Sequence, residues 1–271
     1  MKKVLLGLGA LALSLAVIPM FAAFEAHVIN VTARIENALQ VTTKHLDFGT
    51  VFPQEHLEQP LDVLLSRSFI EEDRVDDVEY FIRQKPKCGV TSHEGTVLDG
   101  PTWTGHVVPI KDDPATTGID ESKGGTAYMI DCEMDRPDGV TPHPEDPDFY
   151  LLPSLCEYIS KDGRDEDGTE TNNDEWLASF HKPWNVVGAQ VVWNDTMGRL
   201  TKLAGDVLDR WIIDLAVPCF GGYCAQDWAD FVHKYNQQAD PNQYTQPIGN
   251  EHKVFGCNLW IEVKGVSETR E

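Results

Sequence analysis

From His27 to Val41 apolar side chains return at almost every second position. Ile29, Val31, Ala33, Ile35, Leu39 and Val41 alternate with the polar Asn30, Thr32, Arg34 and Glu36. A period of two places one set of side chains on each face of an extended chain, so this stretch predicts a strand with one buried face. The same alternation recurs in Leu61-Val63-Leu65 with Phe69, in Val78-Tyr80-Ile82, in Val187-Ala189-Val191-Trp193, in Trp211-Ile213-Leu215-Val217 and in Phe255-Cys257-Leu259-Ile261-Val263. Shorter candidates lie at Thr104 to Ile110 and Thr126 to Met134. Clusters of Gly, Pro, Asp and Asn separate these runs, which predicts about eight strands joined antiparallel in a jelly-roll or immunoglobulin-like β-sandwich. One segment changes period: Trp228, Phe231, Val232 and Tyr235 fall at i, i+3, i+4 and i+7, so Cys224 to Gln238 predicts a short amphipathic helix packed on the sandwich. The stretches from Thr91 to Gly125 and from Asp135 to Asp148 read as long acidic loops, the usual carriers of binding on a rigid scaffold.

The segment ahead of the first strand has a different character. Met1-Lys2-Lys3 supplies a basic start, and Val4 to Ile18 follows without a charge before Pro19. That apolar run is short of the roughly 20 residues needed to span a bilayer, and it reads as a secretory signal peptide over residues 1–23, cleaved after Ala22 or Ala23. Residues 24–271 are then expected to form a single β-sandwich domain that meets a membrane only through the signal peptide before cleavage.

Composition adds a charge argument. Among 271 residues, 44 acids outnumber 22 bases, for a formal charge of −22 that becomes −24 without Lys2 and Lys3. Phosphate recognition needs basic patches, so nucleic acid is excluded as a partner. Six cysteines, Cys88, Cys132, Cys156, Cys219, Cys224 and Cys257, follow the expected signal peptide, and an even count in an oxidising compartment reads as up to three disulfides with the connectivity open. A zinc ribbon is the poorer account, because no second close pair faces Cys219 and Cys224.

The acidic run from Lys161 to Glu175 carries the strongest local chemistry. Carboxylates alternating up to Asp167-Gly168 resemble a loop that wraps Ca²⁺, a hard ion that takes six to eight oxygen ligands. The candidate ligands are Asp162, Asp165, Asp167, Glu170 and Asp174, with Gly168 at the turn; a solvated acidic loop is the plainer alternative. Calcium is the one cofactor the residues suggest. His93-Glu94 begins like a zinc-protease helix but lacks a second His four residues on, and the other eight histidines form no such pair. No nucleophile elbow, Ser-x-x-Lys pair or phosphate-cradling glycine loop occurs, and 44 acids make any glycosidase pair unspecific. No catalytic residue is nominated. Asn30-Val31-Thr32 and Asn194-Asp195-Thr196 are sequons.

The junction Phe21-Ala22-Ala23-Phe24-Glu25-Ala26, a strand ending at Leu39-Gln40-Val41, and then Asp47-Phe48-Gly49-Thr50-Val51-Phe52-Pro53-Gln54-Glu55 before Leu61 to Phe69 resemble the start of the TasA/camelysin family. The chain departs from that pattern at Glu25 and Gln54. The resemblance covers roughly residues 1–85 and implies a SipW-type signal peptide and an extracellular β-sandwich of surface-fibre or biofilm-matrix type. It also implies that the N-terminal strand can complete the sheet of a neighbouring copy, so the expected partners are copies of the chain itself or other surface proteins. Val217 to Trp228 is similar to a segment of uncharacterised exported proteins with the same kind of start. The expected function is therefore that of a secreted structural, cell-surface or biofilm-matrix protein. The alternatives are a secreted metal-dependent endopeptidase, a label that part of the family carries, and an extracellular adhesion or ligand-binding module.

Overall fold

A computed structural model describes residues 33–91, 97, 100–110, 128–137, 151–163, 176–188, 190–203 and 205–268. The chain divides into Met1–Ile35 and Glu36–Glu271, and every element named below belongs to the second unit. In chain order these are β1 (Leu39–Val41), β2 (His56–Leu65), the one-turn helix α1 (Arg67–Ile70), β3 (Val75–Lys85), β4 (Lys87–Cys88) and β5 (Trp103–Thr104). Then come β6 (His106–Pro109), β7 (Tyr128–Asp131), β8 (Ile159–Asp162), β9 (Trp176–Leu177), β10 (Trp184–Val187) and β11 (Gln190–Trp193). The last are β12 (Thr196–Thr201), β13 (Leu208–Ala216), helix α2 (Trp228–Tyr235) and β14 (Asn258–Glu268).

Two antiparallel sheets carry the core. One runs β1-β2-β13-β8-β9 and the other β12-β3-β14. Strand β3 shows why they face each other: Asp76, Val78, Tyr80, Ile82 and Gln84 are buried, while the residues between them are partly exposed. That inner row meets the inner rows of β2 (Leu61, Val63, Leu65) and β13 (Trp211, Ile213, Leu215) in one apolar cluster. The arrangement is a mainly-β sandwich, as the alternation predicts. Helix α2 falls inside the predicted segment and buries Trp228 and Val232 against the same cluster, with Phe231 and Tyr235 partly buried beside them.

Two small hairpins, β6-β7 and β10-β11, share a satellite core of Val107, Trp184 and Val186. A third pair, β4-β5, packs Trp103 and Val90 around the Cys88–Cys132 disulfide. Cys156–Cys257 and Cys219–Cys224 are the other two bridges, with Cα separations of 5.0 and 5.2 Å, and all six cysteines are used.

Several elements differ from the expectation. Of the strand predicted from His27 to Val41, residues 27–32 lie outside the described residues, and 33–38 form no ladder; only Leu39–Val41 pairs, with Leu65–Val63. Phe69 belongs to α1 rather than to a strand, because Ser66 caps that turn by accepting the Phe69 N–H. The run from Val187 to Trp193 is not one strand but the tip and return arm of the β10-β11 hairpin. Gly188, at φ +62°, supplies the left-handed backbone there, and counting across the turn produced an alternation that no single strand has. Strands β8 and β12 escape the pattern because polar residues occupy inward positions, Lys161 in β8 and Thr196 in β12.

One glycine is dictated by the core. Gly198 of β12 stands opposite Tyr80 in the ladder, and a Cβ there would overlap the Tyr80 ring carbon Cζ. Gly198→Ala is expected to lower the unfolding free energy by about 2–3 kcal/mol in denaturant titration. Gly249→Ala is the control, since its Cβ meets nothing within 4 Å.

Candidate functional site

A concavity gathers around Glu157. Its backbone lies in the 3₁₀ turn Cys156–Tyr158, where Cys156 and Tyr158 point into the core and Glu157 points out. Two constraints pin that turn. The Cys156–Cys257 disulfide ties it to the residue that precedes β14, and Leu155 N–H donates to Gly256 O at 3.0 Å while Gly256 N–H donates to Pro153 O at 3.0 Å. A Cβ on Gly256 meets Lys87 Cδ at 2.8 Å and Leu152 Cδ1 at 2.9 Å, so the close approach of the two segments needs glycine.

Two adjoining clefts of about 440 and 560 Å³ share Tyr128, Glu157 and Trp184 in their walls. The Tyr128 ring stands edge-on to Trp184 at 5.8 Å, and Trp184 in turn meets Trp193 at 5.9 Å. Lys87 and Lys253 line the first cleft and Lys182 the second. Burial pushes the Glu157 carboxyl above the ordinary carboxylate range, and the Lys182 ammonium partly opposes that rise. Among the described residues no other Asp or Glu lines either cleft, so the spaced carboxylate pair of a glycosidase is not assembled there. What the arrangement offers is a recessed surface with aromatic walls, cations and one carboxyl, which is the chemistry of binding.

The residues nominated from the sequence are placed elsewhere. Asp162 ends β8, in register with Ile212 and Trp176. Asp165, Asp167, Glu170 and Asp174 lie outside the described residues, as does His93. Among the described residues no group of three or more His, Cys, Asp or Glu is arranged to hold a metal ion. Ser160, Asp214 and His56 look by composition like a hydrolytic triad, but their order is wrong. Ser160 Oγ donates to Asp214 Oδ2 at 2.6 Å and His56 Nε2 lies 2.9 Å from Asp214 Oδ1, so the carboxylate, not the imidazole, faces the hydroxyl. Ser160 is buried besides, and His56 stacks on Tyr235 at 4.7 Å, so the set fastens α2 to the sheet.

Behind Glu157 lies a buried polar network. Gln84 Nε2 donates to the carbonyls of Cys156 and Ile159 at 2.9 and 3.1 Å, and its Oε1 lies 2.7 Å from His181 Nε2. His181 Nδ1 lies 2.7 Å from Ala178 O, and Lys161 Nζ donates to Ile82 O at 2.9 Å. Both imidazole nitrogens thus face acceptors, which favours the protonated ring, yet burial and then the neighbouring Lys161 ammonium outweigh that and hold His181 down at about 4.

The cleft residues come from five separate segments, and none was nominated from the sequence. The one local signal is an acid lodged between the core residues Cys156 and Tyr158. No family model, no curated protein and no solved structure matches the chain.

His181 makes stability pH-dependent with a defined sign. Its native value of about 4 lies below the ordinary 6.5, so the unfolded chain takes up the proton first and stability is lost as pH falls from 6.5 towards 4. The expected loss from this group is about 3 kcal/mol across that window. Denaturant titrations of the native chain and of His181→Gln at several pH values are expected to show a flatter slope in the variant.

Proposed function

We propose that the chain is an exported structural or cell-surface protein, of the biofilm-matrix kind, whose copies assemble through strand addition. The observation that carries this reading is the bracing of a β-sandwich by three disulfides, one of which links residues 101 apart, a device suited to an oxidising extracellular setting. The likeness of residues 1–85 to the TasA/camelysin start supports export by a signal peptide over residues 1–23. No helix among the described residues is long and apolar enough to cross a membrane.

Strand addition needs an edge. Strand β1 covers only Val63–Leu65 of β2, but Pro60 sits farther along that strand opposite Ile212, and with β13 on one side its missing N–H falls on the open side and blunts it. Among the described residues strand β14 pairs only with β3 along Asn258–Glu268, and it carries no proline. Val263 and Val266 are exposed along it, so β14 is the better acceptor for the segment 24–38 of another copy. With a charge of −24 on the processed chain, copies repel one another, and Ca²⁺ held by the acidic run from Asp162 to Asp174 would relieve that repulsion. The Glu157 cleft favours a second reading, an adhesion or ligand-binding module.

Electron microscopy of the chain beginning at Phe24 is expected to show filaments in calcium, and deletion of 24–38, which spares β1, is expected to abolish them. A protein that stays monomeric at every salt and calcium concentration overturns the assembly reading. Replacing Cys156 and Cys257 together by Ser is expected to cost about 4 kcal/mol of stability, read by denaturant titration.

A further inference from the structure

In a chain with two acids for every base, most described lysines and arginines are answered by an oxygen. Lys85 meets Glu262, Lys264 meets Glu79, Arg83 meets Asp195 and Glu262, Arg199 meets Asp77, and Arg210 meets Asp62. Besides the exposed Lys44, three are not: among the described residues no ammonium group of Lys87, Lys182 or Lys253 takes a hydrogen bond or an ion pair. All three line the adjoining clefts around Glu157, which concentrates unanswered positive charge in one recess of an acidic protein.

The rest of the lining narrows the ligand. Thr91, Ser154, Asn185 and Asn250 supply neutral hydrogen-bonding groups, and Tyr128 and Trp184 supply aromatic walls. A compact anion such as phosphate asks for donors converging on one point, whereas these lysines are divided between two adjoining clefts. The matching molecule is elongated, rich in hydroxyls, apolar on its ring faces and negatively charged at intervals. We propose that the joined clefts bind an acidic oligosaccharide, its carboxylates answered by Lys87, Lys182 and Lys253 and its ring faces set against Tyr128 and Trp184. Glu157, at the junction, opposes a sugar carboxylate and so limits affinity. The inference rests on the ligand-binding reading above and is independent of filament formation.

Titration calorimetry with trigalacturonate tests it on the full processed chain, with the methyl-esterified trisaccharide, maltotriose and inorganic phosphate as the other arms. Trigalacturonate is expected to bind, more weakly as salt rises, and its ester is not. Lys182→Gln, at an exposed position, and Lys253→Gln are each expected to weaken binding roughly two- to fivefold, the yield of a solvent-facing charge pair. Glu157→Gln is expected to strengthen it. Equal binding of acid and ester, binding of phosphate in place of the trisaccharide, or lysine variants that bind like the native chain overturn the proposal. Binding of maltotriose alone leaves the ligand-binding reading standing without this ligand class, and binding of no saccharide removes both.

Discussion

The hydroxyl of Tyr80 sits where the two sheets meet, and both of its hydrogen-bonding capacities are used. It donates to the Asp209 carboxylate and accepts the indole N–H of Trp211 at 2.7 Å, all three side chains being buried. Left unpaired, each such group would cost about 1–3 kcal/mol, so β3 and β13, strands of opposite sheets, are held in this one alignment. A slip of one residue would turn Tyr80 to the outside and leave Asp209 in the core without it. Gly198 is part of the same constraint, because the Tyr80 ring occupies the space a side chain would need.

Four residues along β3, Gln84 repeats the device and extends it to the surface. By donating to the carbonyls of Cys156 and Ile159 it sets the turn that carries Glu157 and the start of β8. The Cys156–Cys257 bridge holds the same turn against the start of β14. The position of Glu157 between the Tyr128 and Trp184 walls is therefore inherited from polar groups inside the core, whose shortage of partners makes them intolerant of displacement. His181 closes this network, and its neutral state near pH 7 is what a cation such as Lys161 beside it requires.

Electrostatics separates the surfaces by use. On the outer face of the three-stranded sheet Arg83 and Lys85 share Glu262, and Lys85 also lies 3.5 Å over the Trp260 ring, so charge there is internally balanced. In the Glu157 clefts three lysines stand beside one carboxyl among the described residues, the imbalance on which the proposed binding of an anion rests. The proposed assembly along β14 and the proposed binding in the clefts draw on different residues, so one does not exclude the other.

Much of the scaffold was legible in the chain. Strands β2, β3, β13 and β14 and helix α2 announce themselves because their inward positions are mostly apolar and their periods are long enough to count. Strand β8 stayed hidden because Lys161 lies inward, where its ammonium is answered by Ile82 O across the sandwich, and no local pattern reports a partner 79 residues away. The β10-β11 hairpin was misjudged because Gly188 reverses the chain without breaking the alternation. Disulfides could be expected from the even count of cysteines, but not their pairing, since that depends on which backbones the fold brings to about 5–6 Å. The candidate site lay beyond reach for the same reason. Lys182 and Trp184 are neighbours in the chain, but Glu157, Tyr128, Lys87 and Lys253 are distant from them and from one another and meet them only in the folded chain. By itself the sequence determined the fold class, the acidic character and the potential for three disulfides, all of which are sums or periods of local residue properties. The tertiary structure alone decided the register at Tyr80, the disulfide connectivity and the unanswered cations around Glu157, because each is a distance between segments that no local property encodes.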